Sequence, residues 1–211
     1  MALIRNEEAK DYQAVEKMIR EAFYNQYIPG CVEHYLVHVM REHADFIPEL
    51  DFVLEVDGEV AGNIMYTRAF LKDTAGEKKE ILTFGPLCIA PQYQRRGYGK
   101  RLMQHSFEKA VSLGYDVIVI FGAPSNYVSS GFWCCKRFHI CTENDKFPAA
   151  MLVKELVPHA LDGRKWYYHE SPAMAIEEAD ALRYDETLEK KERKHQPSQE
   201  EFYIMSHSFV E

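Results

Sequence analysis

Four cationic side chains and two glycines fall within eight residues, Gln94-Arg95-Arg96-Gly97-Tyr98-Gly99-Lys100-Arg101, a combination suited to gripping an anion. Gly97 and Gly99 let the backbone turn tightly and come close to a ligand. Pro91 closes the apolar run before the cluster and a helix-patterned segment follows it, so free amides and the positive end of a helix dipole converge there. The chain carries a formal charge of -8, so the basic cluster is a local feature and not bulk composition. A phosphorylated ligand is the expectation. The bland alternative, a solvent-facing basic turn, leaves the two glycines without a shared purpose. The third glycine of a dinucleotide fingerprint is missing, and so is the Ser or Thr that follows Gly-Lys in a Walker loop.

The elements that must position this cluster are legible on both sides. Leu102, Ser106, Ala110 and Leu113 recur at helical spacing beside Phe107 and predict a helix over 100–113, ended by Gly114. Val117-Ile118-Val119-Ile120-Phe121 is an unbroken apolar run, as expected of a strand covered on both faces. Upstream, helices are predicted over 11–25 (Val15, Met18, Ile19, Phe23) and 31–43 (Val32, Tyr35, Leu36, Val39). Phe52, Leu54 and Val56 alternate with polar residues, Asp57-Gly58 makes a hairpin turn, and the partner strand runs over 60–71. Residues 72–79 read as a charged loop, and a strand over 80–89 feeds the glycine cluster. Further strands are expected over 150–157 and 165–170. A charged helical segment over 174–194 ends at Gln196-Pro197-Ser198, and Phe202, Tyr203, Ile204 and Phe209 are expected to pack back onto the domain.

Gln94-x-x-Gly97-x-Gly99, preceded by Gly85-Pro86-Leu87-Cys88-Ile89-Ala90-Pro91 and followed by Asn126-Tyr127-Val128-Ser129-Ser130-Gly131-Phe132, resembles the GNAT superfamily of acyl-CoA-dependent N-acyltransferases. Strand, glycine loop, helix, strand and Tyr-x-x-x-Gly-Phe occur in that family's order over roughly residues 3 to 170. The resemblance implies an α/β (α+β) fold: a mixed, mostly antiparallel central sheet flanked by helices and splayed between the fourth and fifth strands. Residues 1–170 would be the transferase domain. Residues 171–211 would be a charged helical extension, packed on the same domain or partly flexible.

By the same resemblance acetyl-CoA is the cosubstrate, held by Leu87, Cys88, Ile89, Gln94, Arg95, Arg96, Gly97, Tyr98, Gly99, Lys100 and Asn126. Its pantetheine arm would pair with backbone groups near Leu87 and Ile89, and Tyr127 takes the place of the general acid that protonates the departing thiolate. The competing reading of Tyr127 is a packed ring whose hydroxyl finds any nearby acceptor. Many relatives place a glutamate base where this chain has Thr83, and a threonine cannot accept a proton at neutral pH. Glu80 and His139 are candidates that nothing local places at a substrate, and surface exposure suits both. No base is named. The implied activity is transfer of an acetyl group to a primary amine, a small molecule or a peptide amino group, in a ternary complex. A non-catalytic acyl-CoA sensor is the alternative that Thr83 keeps open.

Composition excludes more than it selects. In 211 residues with 46% hydrophobic content there is material for one sizeable core. No stretch of about 18 apolar residues and no apolar leader occurs near Met1, so a soluble, cytoplasmic protein without a membrane partner is expected. The acidic balance argues against nucleic acid, and a homodimer is compatible with everything above. Five cysteines without a C-x-x-C pair point to reduced thiols. Cys31, His34 and His38 share a helical face, but a fourth ligand is not evident, so no metal is expected. Cys134 and Cys135 read as packing, Lys190 to Lys194 as a solvated helix face, and Trp166, Tyr167 and Tyr168 either line an acceptor pocket or cap the sheet.

Overall fold

A computed structural model describes residues 2–211. The chain enters through β1 (Ala2–Asn6), an element the sequence pattern does not signal, which pairs antiparallel with β2 (Phe52–Val56). Between them α1 (Tyr12–Phe23) and α2 (Glu33–Met40) follow the two predicted amphipathic stretches. Asp57 and Gly58, both left-handed at φ 52° and 90°, turn β2 into β3 (Glu59–Asp73). Two such residues match the twist of the flanking strands.

The charged loop expected over 72–79 is shorter: β3 runs to Asp73, β4 (Lys78–Ile89) starts at Lys78, and Gly76 at φ 94° sits in the turn between them. Strand pairing on both sides of β3 carries the ladder past the charges. After β4 come α3 (Tyr98–Ser112), β5 (Val117–Phe121), the single turn α4 (Pro124–Tyr127), and the short strands β6 (Trp133–Cys134) and β7 (Ile140–Cys141). Strands β8 (Met151–Glu155) and β9 (Trp166–His169) complete the sheet. Gly114 ends α3 at φ 93°, and the Tyr115 N–H returns to the Ala110 carbonyl at 3.0 Å.

Among the described residues one sheet runs β1-β2-β3-β4-β5-β8-β6, with β9 on β3 and β7 on β9. It is antiparallel except where β4 meets β5 and β7 meets β9. Between Ile64↔Leu87 and Tyr66↔Phe84, β4 takes three steps while β3 takes two. The extra residue is a bulge at Gly85-Pro86 that bends β4. β4 and β5 pair at Leu82↔Ile118, and beyond that point they part.

Two faces of the sheet bury apolar side chains. On one, Leu102, Met103, Phe107 and Ala110 of α3 pack on Ile64, Tyr66, Leu82, Phe84, Ile118 and Ile120. The other meets α1 and α2 through Val53, Met65 and Cys88, and farther along buries Ala69, Leu71, Ile81, Val117 and Val119 under Trp166 and Tyr168. Among the described residues no helix is long and apolar enough to cross a membrane.

The C-terminal segment departs from its predicted form. Over 174–194 only α5 (Glu178–Asp185) is helical, and Lys190 to Lys194 forms an irregular strap, not a helix face. The strap is held by the end of α1 and the turn after it: the carbonyls of Glu189, Lys191 and Glu192 accept from Arg20, Tyr24 and Asn25 at 2.8–3.0 Å. Then α6 (Pro197–Ser206) lays Phe202 on Tyr27, with ring centroids 4.7 Å apart. Tyr203, Ile204 and Phe209, expected to pack inward, are exposed.

Candidate functional site

The parting of β4 from β5 opens a cleft of about 510 Å³ that continues over the start of α3. On the β4 wall, the Ala90 N–H bonds to the Ala61 carbonyl at 2.9 Å, which makes Cys88↔Asn63 the next hydrogen-bonded pair of the ladder. Strand alternation then turns the backbone groups of Leu87 and Ile89 away from β3 and into the gap. Cys88 lines the cleft as well, but its backbone faces β3 and its thiol lies 3.9 Å from the Met18 carbonyl, under α1.

At the end of β4 the loop folds over itself. Gln94 Nε2 donates to the Ile89 carbonyl at 3.0 Å, so this side chain ties the loop to the strand. Arg95 and Gly97 are both left-handed, at φ 61° and 80°, and Gly97 caps α3. Alternating handedness of this kind points successive amides into one concavity. The first helical bond is Arg101 N–H to Gly97 O at 3.0 Å; among the described residues no acceptor takes the backbone N–H groups of 95–100. Gly99 lies against Ile89: a Cβ there would sit 3.6 Å from Ile89 Cγ1.

Gln94, Arg95, Gly97, Tyr98, Gly99 and Lys100 all line the cleft. Arg96 does not; its guanidinium stacks 5.8 Å over the Tyr93 ring. Arg101 reaches the Ala2 carbonyl at 3.0 Å.

The opposite wall comes from the β5 side. Pro124 starts α4 and delivers Asn126 and Tyr127 to the cleft, with Ser129 and Ser130 behind them. The Tyr127 ring sits between Phe84 at 5.9 Å and Phe132 at 5.7 Å and rests on Gly122, where a Cβ would meet its Cε2 at 2.5 Å. Burial, and then the nearby Tyr27, push the Tyr127 hydroxyl well above the usual tyrosine range, so it stays protonated. Ser130 Oγ is buried without a partner.

Phe23, Gln26 and Tyr27 close the cleft from the end of α1. Sequence reasoning missed them as cleft residues, since Phe23 reads as helix core and Tyr27 belongs to no motif. Gly122 and Ser130 were missed for the same reason: their importance lies in a contact, not a pattern.

Thr83 is 1% exposed and stands next to Leu82, where β4 leaves β5. Thr67 faces it across the ladder, with an Oγ1 that has no partner. Tyr168, buried on the same face, brings its hydroxyl toward Thr83 and the Glu170 carboxyl without completing a hydrogen bond to either. Glu80 and His139 are exposed. The other singled-out groups are engaged elsewhere. Cys31 donates to Glu33 at 3.3 Å, His34 lies 3.4 Å from Asp185, and His38 lies 3.2 Å from Glu16. Burial pushes the Cys135 thiol up to about 12, far from a reactive thiolate, and all five cysteines are free.

The model of the acetyltransferase (GNAT) family matches residues 13–138. The chain is 30% identical over 102 residues to the uncharacterized N-acetyltransferase YjhQ of Escherichia coli K12, covering 47% of this chain and 55% of that protein. It thus spans about half the length of that curated relative. Among solved structures, the GNAT family N-acetyltransferase YhbS of Escherichia coli, in complex with CoA, aligns at a TM-score of 0.67 and 26% identity. That alignment covers 80% of this chain and 90% of that one. A GNAT family acetyltransferase from Brucella melitensis, in complex with acetyl-CoA, shares the fold at a TM-score of 0.64 and 19% identity, over 83% of this chain and 99% of that one.

Proposed function

The chain belongs to the acetyltransferase (GNAT) family, and from that membership we propose that it is an N-acetyltransferase that binds acetyl-CoA and passes the acetyl group directly to a primary amine. One observation carries the reading: six consecutive backbone amides, 95–100, without an acceptor among the described residues, at the mouth of a gap between two strands. A pyrophosphate suits that concavity, with Arg95 and Lys100 adding charge. Leu87 and the Ile89 N–H present ladder groups that an extended pantetheine arm would complete as an added strand would. Acetyl-CoA supplies the activated acyl group as a thioester. The chain's own part is to orient it and manage charge and protons.

A backbone amide of the bent β4 near Leu87 would meet the negative charge that grows on the carbonyl oxygen during attack. One such donor is worth about 3 kcal/mol. Tyr127, held protonated by burial, would give its proton to the sulfur. Residues 1–170 form the transferase domain in this reading, and 171–211 an extension that braces α1 and Tyr27. Five free thiols agree with a reducing, cytoplasmic setting.

The test is calorimetric titration with acetyl-CoA alongside a thiol-release assay on an amine panel of polyamines, amino acids and peptides. Binding together with acceptor-dependent CoA release supports the transferase. Binding without release on any amine favours the sensor, for which Thr83 in the usual glutamate position speaks. No binding of any CoA derivative removes both.

A further inference from the structure

An alkyl ammonium with a pKa near 10.4 must lose a proton before it can attack, and none of the cleft groups described so far can take one at neutral pH. We propose that Glu170, the residue after β9, is the general base, working in a polar patch with Thr67, Thr83 and Tyr168 on the face of the sheet opposite α3. The assignment rests on the transferase reading above.

Thr83 is the first β4 residue beyond the last pair with β5, so the patch lies at the fork of the gap. Thr67 is 0% and Tyr168 7% exposed, and both hydroxyls lack a hydrogen-bond partner. Buried polar groups are nearly always paired, so two orphans on one face of the sheet, Tyr168 beside the Glu170 carboxylate, mark a place where a polar ligand completes the set. A primary ammonium fits, because it donates up to three hydrogen bonds and accepts none. The Tyr168 oxygen and the Glu170 carboxylate, which line one depression, are two acceptors.

Phe121 lies 5.8 Å from the Tyr168 ring, and Met174 Cε lies 3.2 Å from where a Cβ on Gly85 would be, so apolar groups flank the patch. Glu170 is exposed and lines a surface depression with Tyr168, Thr142 and Asn144. Desolvation holds its carboxyl above the usual range, while the Tyr168 hydroxyl pulls the other way. A carboxylate raised toward neutrality is a stronger base. His169 and Glu143, 3.7 Å apart, line the same depression as Glu170, while Ser171 donates to Asp45 at 2.7 Å.

The proton count closes. Glu170 takes one proton from the ammonium, and the freed nitrogen pair forms the C–N bond. The C–S pair leaves with sulfur, which takes the Tyr127 proton. The second nitrogen proton restores Tyr127, and Glu170 returns its proton to solvent.

The experiment compares wild type, Glu170→Gln and Glu170→Asp with the best amine of a panel containing spermidine, benzylamine and a glycine-initiated peptide, from pH 6.5 to 9.5. Acetyl-CoA affinity is measured in parallel. At pH 7, Glu170→Gln is expected to lose about 10²-fold or more in amine kcat/KM, with acetyl-CoA Kd unchanged and Glu170→Asp partly active. Because the variant must wait for free amine, its deficit is expected to shrink about tenfold per pH unit as the amine deprotonates unaided. A deficit of the same size at every pH, or none, overturns the base assignment while leaving the transferase intact. Absence of amine-dependent release from wild type overturns both.

Discussion

Replacing Gly122 by alanine tests whether the position of the Tyr127 hydroxyl, and not merely its presence, matters. The new Cβ would fall 2.5 Å from Tyr127 Cε2 and 3.2 Å from Cδ2, against an ordinary carbon contact of about 3.5–4.0 Å. Gly122 has no unusual φ, so the clash is wholly with the ring. Phe84 and Phe132 hold the ring on other sides and are themselves buried, so it must shift by about 1 Å into the cleft. A misplacement of that size costs about 10²-fold in a positioned reaction. Overpacking should also cost about 1–3 kcal/mol in stability.

The assay is steady-state CoA release with acetyl-CoA affinity and thermal unfolding alongside, for Gly122→Ala, Tyr127→Phe and the double variant. Tyr127→Phe is expected to lose about 10²–10⁴-fold in kcat as a lost general acid. The double variant should be no slower than Tyr127→Phe, since without a hydroxyl there is nothing to misplace. Full turnover in Gly122→Ala, or multiplied losses in the double variant, refutes the positional argument.

Gly97→Val, which puts a β-branched residue at φ 80°, should cost about 1–3 kcal/mol in backbone strain and remove measurable acetyl-CoA binding. Arg96→Ala, whose guanidinium rests on Tyr93, should change that affinity by less than about threefold in the same titration. Burial, then the adjacent Glu7 carboxylate, hold the Asp51 carboxyl well above the usual range. The folded state therefore keeps a proton that the unfolded state loses near pH 4, and stability falls as pH rises above that point. Asp51→Asn, which can still accept from Asn63, should flatten this slope, with a Tm gain over wild type that is larger at pH 8 than at pH 5. Ser106→Ala strips the buried Tyr66 hydroxyl of its 2.7 Å partner and should cost about 1–3 kcal/mol in denaturant unfolding with acetyl-CoA affinity unchanged.

Local physics was legible from the chain alone. The Asp57-Gly58 hairpin, the glycine turn into α3 and the Gly114 stop each depend on φ preferences of the residues themselves, and all lie where their types put them. The apolar periodicity of α1 and α3 likewise predicts both the helix and its buried face. The family resemblance of residues 85–132 added the splay, which periodicity could not have shown.

What the chain alone could not disclose depends on contacts between distant residues. β1 is a strand because β2, about fifty residues on, offers it a ladder. The 186–196 strap is not helical because Arg20, Tyr24 and Asn25, in and just after α1, claim its carbonyls. Gly122 matters through one ring, and Tyr27 through Phe202 and Tyr127. Tyr168 comes between Thr83 and Glu170 only because β9 docks on β3. Backbone preferences act within a few residues and are written in the order of amino acids. Burial, desolvation and orphaned hydroxyls arise when remote segments exclude water together, so only the folded chain determines them.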